Sequence, residues 1–128
     1  MKKQTAKLIG SGILASFLAG TIFMIGFLII IGGLIQHIFP PKKINSLYGY
    51  RTPRSKKNIE VWNFAQKLSA KLMISVGVIL CLFGCIALIL GLEDQLVNTT
   101  GIVLMISLFL ILLIYMELTL KKKFPKQL

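Results

Sequence analysis

Apolar residues in this chain come in blocks rather than in alternation. One block runs over residues 11 to 39 and is almost unbroken until Gln36 and His37; a second covers 72–92 and a third about 96–120. An element half-buried in a soluble domain is apolar on one face only, so its sequence alternates with a period of 2 or 3.6. Uninterrupted apolar runs of ~18–20 residues instead match the ~30 Å hydrocarbon core of a bilayer. The pattern predicts an all-α integral membrane bundle of three transmembrane helices, at about 11–39, 72–92 and 96–120, forming a single domain over 1–128.

The first block follows Lys2, Lys3 and Lys7, the arrangement of a secretory leader. A leader has an apolar core of only ~7–15 residues before its cleavage site, so the longer run reads as a spanning helix. Wholly helical, it would be about 43 Å long, which requires tilt or interfacial ends. Gly12, Ser16 and Gly20 form a stripe of small residues that admits a second helix, and Gly77, Cys81 and Cys85 form another in the second block. Gly32-Gly33 offers a place to bend, and Pro40-Pro41 ends the helix because neither supplies an N–H. Glu93-Asp94-Gln95 is a tight antiparallel return, with Asn98, Thr99 or Thr100 as caps for the third span.

The one long polar segment lies over 45–70. Thr52-Pro53 suits an N-cap followed by proline at the first helical position, with Ser55 and Asn58 as competing caps. Ile59, Val61, Trp62, Ala65, Leu68 and Leu72 then recur at helical spacing among Lys56, Lys57, Glu60, Asn63, Lys67 and Lys71. This predicts a cytoplasmic amphipathic interfacial helix over about 53–70, with Trp62, Phe64 and Tyr50 at headgroup depth and the lysines facing anionic lipid. It either continues straight into the second span or bends around Ser69-Ala70.

Charge adds an orientation. Three lysines precede the first span, whereas twelve basic residues lie in the central loop and the C-terminal tail. The positive-inside bias therefore places the N-terminus outside and the central loop and C-terminus in the cytoplasm. The same bias accounts for the net charge of +11 with no nucleic acid as partner. Cys81 and Cys85, one turn apart in an apolar run, read as packing residues, and two cysteines without histidine make no zinc site. No catalytic constellation, cofactor motif or metal-ligand cluster is visible, which argues against an enzyme.

The candidate chemistry is thus in the central segment. Gly49 between two tyrosines suggests a turn or a close approach that a side chain would block. Arg51 and Arg54 offer forks of donors for carboxylate or phosphate. They meet lipid phosphates, or Arg51 pairs with Glu117, the only acidic residue inside a span; Glu117 could equally pair with Lys121 along its own helix. His37 reads as an interfacial residue.

Gly49-Tyr50-Arg51-Thr52-Pro53, followed by Ser55, Lys57-Asn58, Glu60 and Trp62, with Asn45 ahead and Ala65 a turn later, resembles the SdpI/YfhL family of small bacterial membrane proteins. The resemblance implies a non-enzymatic protein. The family's founding member confers immunity to a secreted membrane-active toxin and is thought to hold a cytoplasmic repressor at the membrane. By that resemblance, Asn45, Gly49 to Ser55, Lys57, Asn58, Glu60 and Trp62 form the binding or structural motif, and a peptide toxin and a cytoplasmic regulator are the expected partners. The alternative is a lipid-binding or lipid-handling protein in which Arg51, Arg54, Lys56 and Lys57 cup an anionic headgroup. The small-residue stripes also fit a homo-oligomer.

Overall fold

The computed structural model describes residues 2–126, with side chains from Gly20 onward except Asp94. It contains three helices: α1 (Lys2–Ile38), α2 (Ile59–Leu90) and α3 (Asp94–Lys123). All three are long and apolar enough to cross a membrane. Large apolar side chains such as Phe27, Leu28, Ile89, Ile111 and Leu118 are exposed on their outer faces, the surface expected of helices whose solvent is lipid.

α1 and α2 form an antiparallel pair held at very short range by glycine. A Cβ on Gly26 would lie 2.7 Å from the Gly77 carbonyl oxygen, and a Cβ on Gly77 would lie 2.6 Å from that of Gly26. Two turns along α1, Gly33 faces the Ala70 carbonyl and Ile74 in the same way. Without a hydrophobic force between helices in lipid, close backbone approach and dispersion hold such a pair together. Gly32-Gly33 therefore lies inside an unbroken helix, with Gly33 at a close contact with α2. Of the two predicted stripes, Gly77 does face α1, and the Cys81 thiol donates to the Phe23 carbonyl at 3.4 Å. Gly20 meets nothing, and the side chains of Gly12 and Ser16 lie outside the described residues.

α3 returns antiparallel to α2 and closes the core around Val76, Leu80, Leu112, Met116 and Leu120. The turn between them starts at Gly91, whose left-handed φ of 59° lets the Leu92 N–H reach back to the Ala87 carbonyl at 3.2 Å, the usual glycine-ended helix stop. α3 then begins at Asp94, ahead of the expected caps Asn98, Thr99 and Thr100, and Glu93 stands at its N-cap without a side-chain bond.

The predicted interfacial helix is not a separate element. Residues 51–57 form turns, and α2 runs without interruption from Ile59 through Ser69-Ala70 into the second span. Asn58 wins the competition for the cap, accepting from the Val61 N–H at 3.0 Å, while Thr52-Pro53 lies in the turns before it. The apolar face of the first turns of α2 does not meet lipid. Val61, Trp62, Ala65, Gln66, Ser69 and Ala70 are buried against protein: the stretch 39–58 folds back onto Trp62 and Gln66, α3 packs with Val61 and Ala65, and α1 meets Ser69 and Ala70.

Candidate functional site

That stretch has no regular secondary structure yet is fastened at each step. Asn45 makes an Asx turn, its Oδ1 accepting from the N–H groups of Leu47 and Tyr48, both at 2.9 Å, which starts the reversal toward Gly49. Gly49 has a φ of +94°, and a Cβ there would overlap Gln66 Oε1 and press on Pro41 at 3.1 Å. Glycine is required both by its conformation and by its neighbour.

Gln66 is the hub. Its Oε1 accepts from the Tyr50 N–H at 2.8 Å and its Nε2 donates to the Tyr50 carbonyl at 2.8 Å, so one side-chain amide pairs with a loop peptide as a neighbouring strand would. Gln36 of α1 reaches the same point, its Nε2 donating to Ser69 Oγ at 2.6 Å and to Gln66 Oε1 at 3.1 Å. Gln36, Gln66 and Ser69 are all buried, and among the described residues no buried side-chain polar atom lacks a partner. Polar groups at this depth are costly unless paired, so the network specifies one arrangement of loop, α1 and α2.

The rest of the motif locks the loop to itself and to α2. The Ser55 hydroxyl, fully buried, donates toward the carbonyls of Tyr50 and Thr52, each at 3.0 Å, while Thr52 Oγ1 accepts from the Ser55 N–H at 3.2 Å. Trp62 is wholly buried against protein, its indole N–H donating to the Pro41 carbonyl at 2.8 Å. A proline-ended carbonyl and an indole each need a partner once covered, and they supply each other. Phe64 also turns inward, packing edge-on against Phe124 at 5.6 Å with the Lys123 ammonium 3.8 Å from its ring centre. Pro53, Lys57 and Glu60 lie exposed on the outer surface, as does His37.

Glu117 joins the loop to α3, but not through Arg51. Its Oε1 accepts from the Tyr50 hydroxyl at 2.9 Å and its Oε2 pairs with Arg54 Nη1 at 3.1 Å. Arg51 points elsewhere, and its Nη1 donates to the Ser46 carbonyl. Of the alternatives above, the Arg51–Glu117 pair is not formed; Arg54 and Tyr50 take its place, because the turn closed by the Lys56 N–H to Thr52 carbonyl bond carries Arg54 back toward α3. Burial pushes the Tyr50 phenol well above its ordinary value, and the hydrogen bond to the negative Glu117 pushes it further. The phenol stays protonated and acts as a donor.

Three residues at the centre of this site carried no weight in the sequence reading: Gln36, Gln66 and Ser69. Trp62, Gln66 and Ser69 lie at i, i+4 and i+7, on one face of α2. A glutamine on the same face as a buried tryptophan, opposite a lone glutamine in the preceding span, was the available signal.

The fold and site define a small helical membrane protein whose first two spans are joined by an ordered loop docked on α2 and α3, with α1 bonded to the same Gln66. Among known proteins, residues 42–117 match the model of the SdpI/YfhL protein family, and the chain belongs to that family. The matched interval opens at the loop and closes on Glu117, so it holds both ends of the Tyr50–Glu117 bond. The "Uncharacterized protein YfhL" of Bacillus subtilis (strain 168) is 49% identical over 59 residues, 46% of this chain and 54% of that protein. The match thus spans about half the length of that relative. No solved structure matches. Among the described residues, no group of three or more His, Cys, Asp or Glu side chains gathers as a metal site.

Proposed function

We propose that this chain is a non-enzymatic integral membrane protein that gives immunity to a membrane-active, bacteriocin-like toxin, with the 49–53 loop as the surface offered to a cytoplasmic partner. One observation supports this reading above the family relationship itself. The loop is hydrogen-bonded to α2 through Gln66 and to α3 through Glu117, and Gln66 is bonded in turn to Gln36 of α1. A toxin that displaced one span would move the loop with it, and a protein bound to the loop would bias the spans in return, since coupling between two sites is reciprocal.

Expression in a toxin-sensitive bacterial host raises survival on this reading, and Arg51→Ala removes the protection while the protein still accumulates in the membrane. Unchanged survival across candidate peptides would sink it. The same reading sets the loop in the cytoplasm, following the excess of basic residues at that end. A tag inserted beside Glu93 is then reached from outside intact cells and a tag beside Lys57 is not; the opposite pattern would reverse the topology.

A further inference from the structure

The loop does not sit flush on the bundle. Ser46, Arg51, Thr52 and Lys56 surround an open cleft of about 390 Å³ whose wall includes Leu113 of α3, within the ~300–1,000 Å³ typical of small-molecule sites. A second, mainly apolar hollow of about 170 Å³ lies beneath Gly49 and Tyr50, among Met73, Phe109 and Leu112. The two adjoin, since Gly49, Tyr50 and Leu113 line both.

Their order along α3 gives the depth. Phe109, Leu113 and Glu117 follow one another at single turns toward the Lys121–Lys123 end, so Leu113 lies about 6 Å and Phe109 about 12 Å deeper than Glu117. The cationic rim is therefore at interfacial height and the apolar hollow below it, the polarity of a phospholipid lying in one leaflet. The acidic group closest to this path on α3, Glu117, is already engaged by Arg54 and Tyr50, which lessens its repulsion of an incoming anion. Arg51 is steadied by its bond to Ser46, and one such bond leaves a five-donor guanidinium able to make others.

The geometry points to a binding site for an anionic glycerophospholipid, its phosphate between Arg51 and Lys56 and one acyl chain passing Leu113 toward Phe109 and Met73. The shared chemistry is a phosphate ester; the hollow beneath is what separates a lipid from a free anion. This site stands without the immunity reading and is tested without any toxin.

The test is native mass spectrometry of the full chain in detergent, offered phosphatidylglycerol, phosphatidylcholine or inorganic phosphate. One phosphatidylglycerol per chain is expected to be retained, in preference to phosphatidylcholine. The double change Arg51→Gln/Lys56→Gln lowers retention about tenfold or more, in line with ~1 kcal/mol per basic residue at a lipid surface. Leu113→Trp, which narrows the path at an exposed position, lowers it as well. Lys67→Gln/Lys71→Gln, exposed basic residues of α2 outside the cleft, leaves it unchanged. The site is overturned if that control loses as much lipid as Arg51→Gln/Lys56→Gln. It is equally overturned if phosphatidylcholine is held as well, or if inorganic phosphate displaces the lipid.

Discussion

Gly49 is the residue on which the loop turns. Its φ of +94° is disfavoured for any L side chain, and Gln66 Oε1 occupies the space a methyl would need. Gly49→Ala should therefore destabilise the protein by about 1–3 kcal/mol from backbone conformation alone, with the clash in addition, read as a lowered melting temperature in detergent. In a Gln66→Ala background the clash is gone and the Tyr50 peptide has already lost its partner. The cost of Gly49→Ala should then fall toward the conformational part, a non-additivity expected only of residues in contact. Equal costs in both backgrounds would count against Gln66 as the hub. Gly49 was legible in the sequence because glycine between two tyrosines has few other reasons to be there. Gln66 was not, because in a helix rich in lysine a glutamine looks like one more solvated position. Only the fold shows that it faces the loop rather than water.

At the scale of elements, α2 is the member that hydropathy misdivides. Its 32 residues are about 48 Å long, longer than the bilayer core, so its first turns leave the hydrocarbon and mix lysine with apolar residues. That mixture is also the pattern of an interfacial helix. Amphipathicity reports that one face is covered but not by what, and here the cover is protein: the returning loop, with Trp62 bonded to Pro41, together with α1 and α3. The three spans and the proline stop at the end of α1 needed no such information, because run length against bilayer thickness gives the spans and the missing N–H of Pro40-Pro41 gives the stop. The point of contact between α1 and α2 was legible only in part. Gly77 was recognisable as small, but its partner Gly26 was not identified. Gly77→Val tests that contact: even the first added carbon falls 2.6 Å from the Gly26 carbonyl oxygen and 2.9 Å from the Ile30 nitrogen, so the helices must part. A loss of about 1–3 kcal/mol or more is expected, as for other overpacked contacts, with faster cleavage of the 39–58 loop by added protease. Gly20→Val, where a Cβ meets nothing, should leave the α1–α2 pair intact.

For the whole molecule, the side-chain bond between the most distant positions among the described residues is the one from Tyr50 to Glu117, which joins the loop to the last span across 67 residues, about half of the chain. Because Glu117 is partly exposed, with 29% of its side chain accessible, the bond contributes at the low end of charge-assisted hydrogen bonds, about 1 kcal/mol. Tyr50→Phe removes it without changing the ring's packing. The raised phenol value makes this bond visible through pH. In the folded protein Tyr50 keeps its proton above the ordinary tyrosine value of ~10, first because it is buried and then because Glu117 accepts from it. In the unfolded chain it ionises at that ordinary value. Its stabilisation is therefore fully present below about pH 10 and is lost as pH rises from there through the raised folded value. Every other group is common to both proteins and cancels in the difference between wild type and Tyr50→Phe. That difference, followed by unfolding in detergent, should be steady from pH 7 to 9 and shrink above pH 10. If it stayed constant to pH 11, the phenol would be neither buried nor donating to Glu117, and the loop would be held to α3 by Arg54 alone.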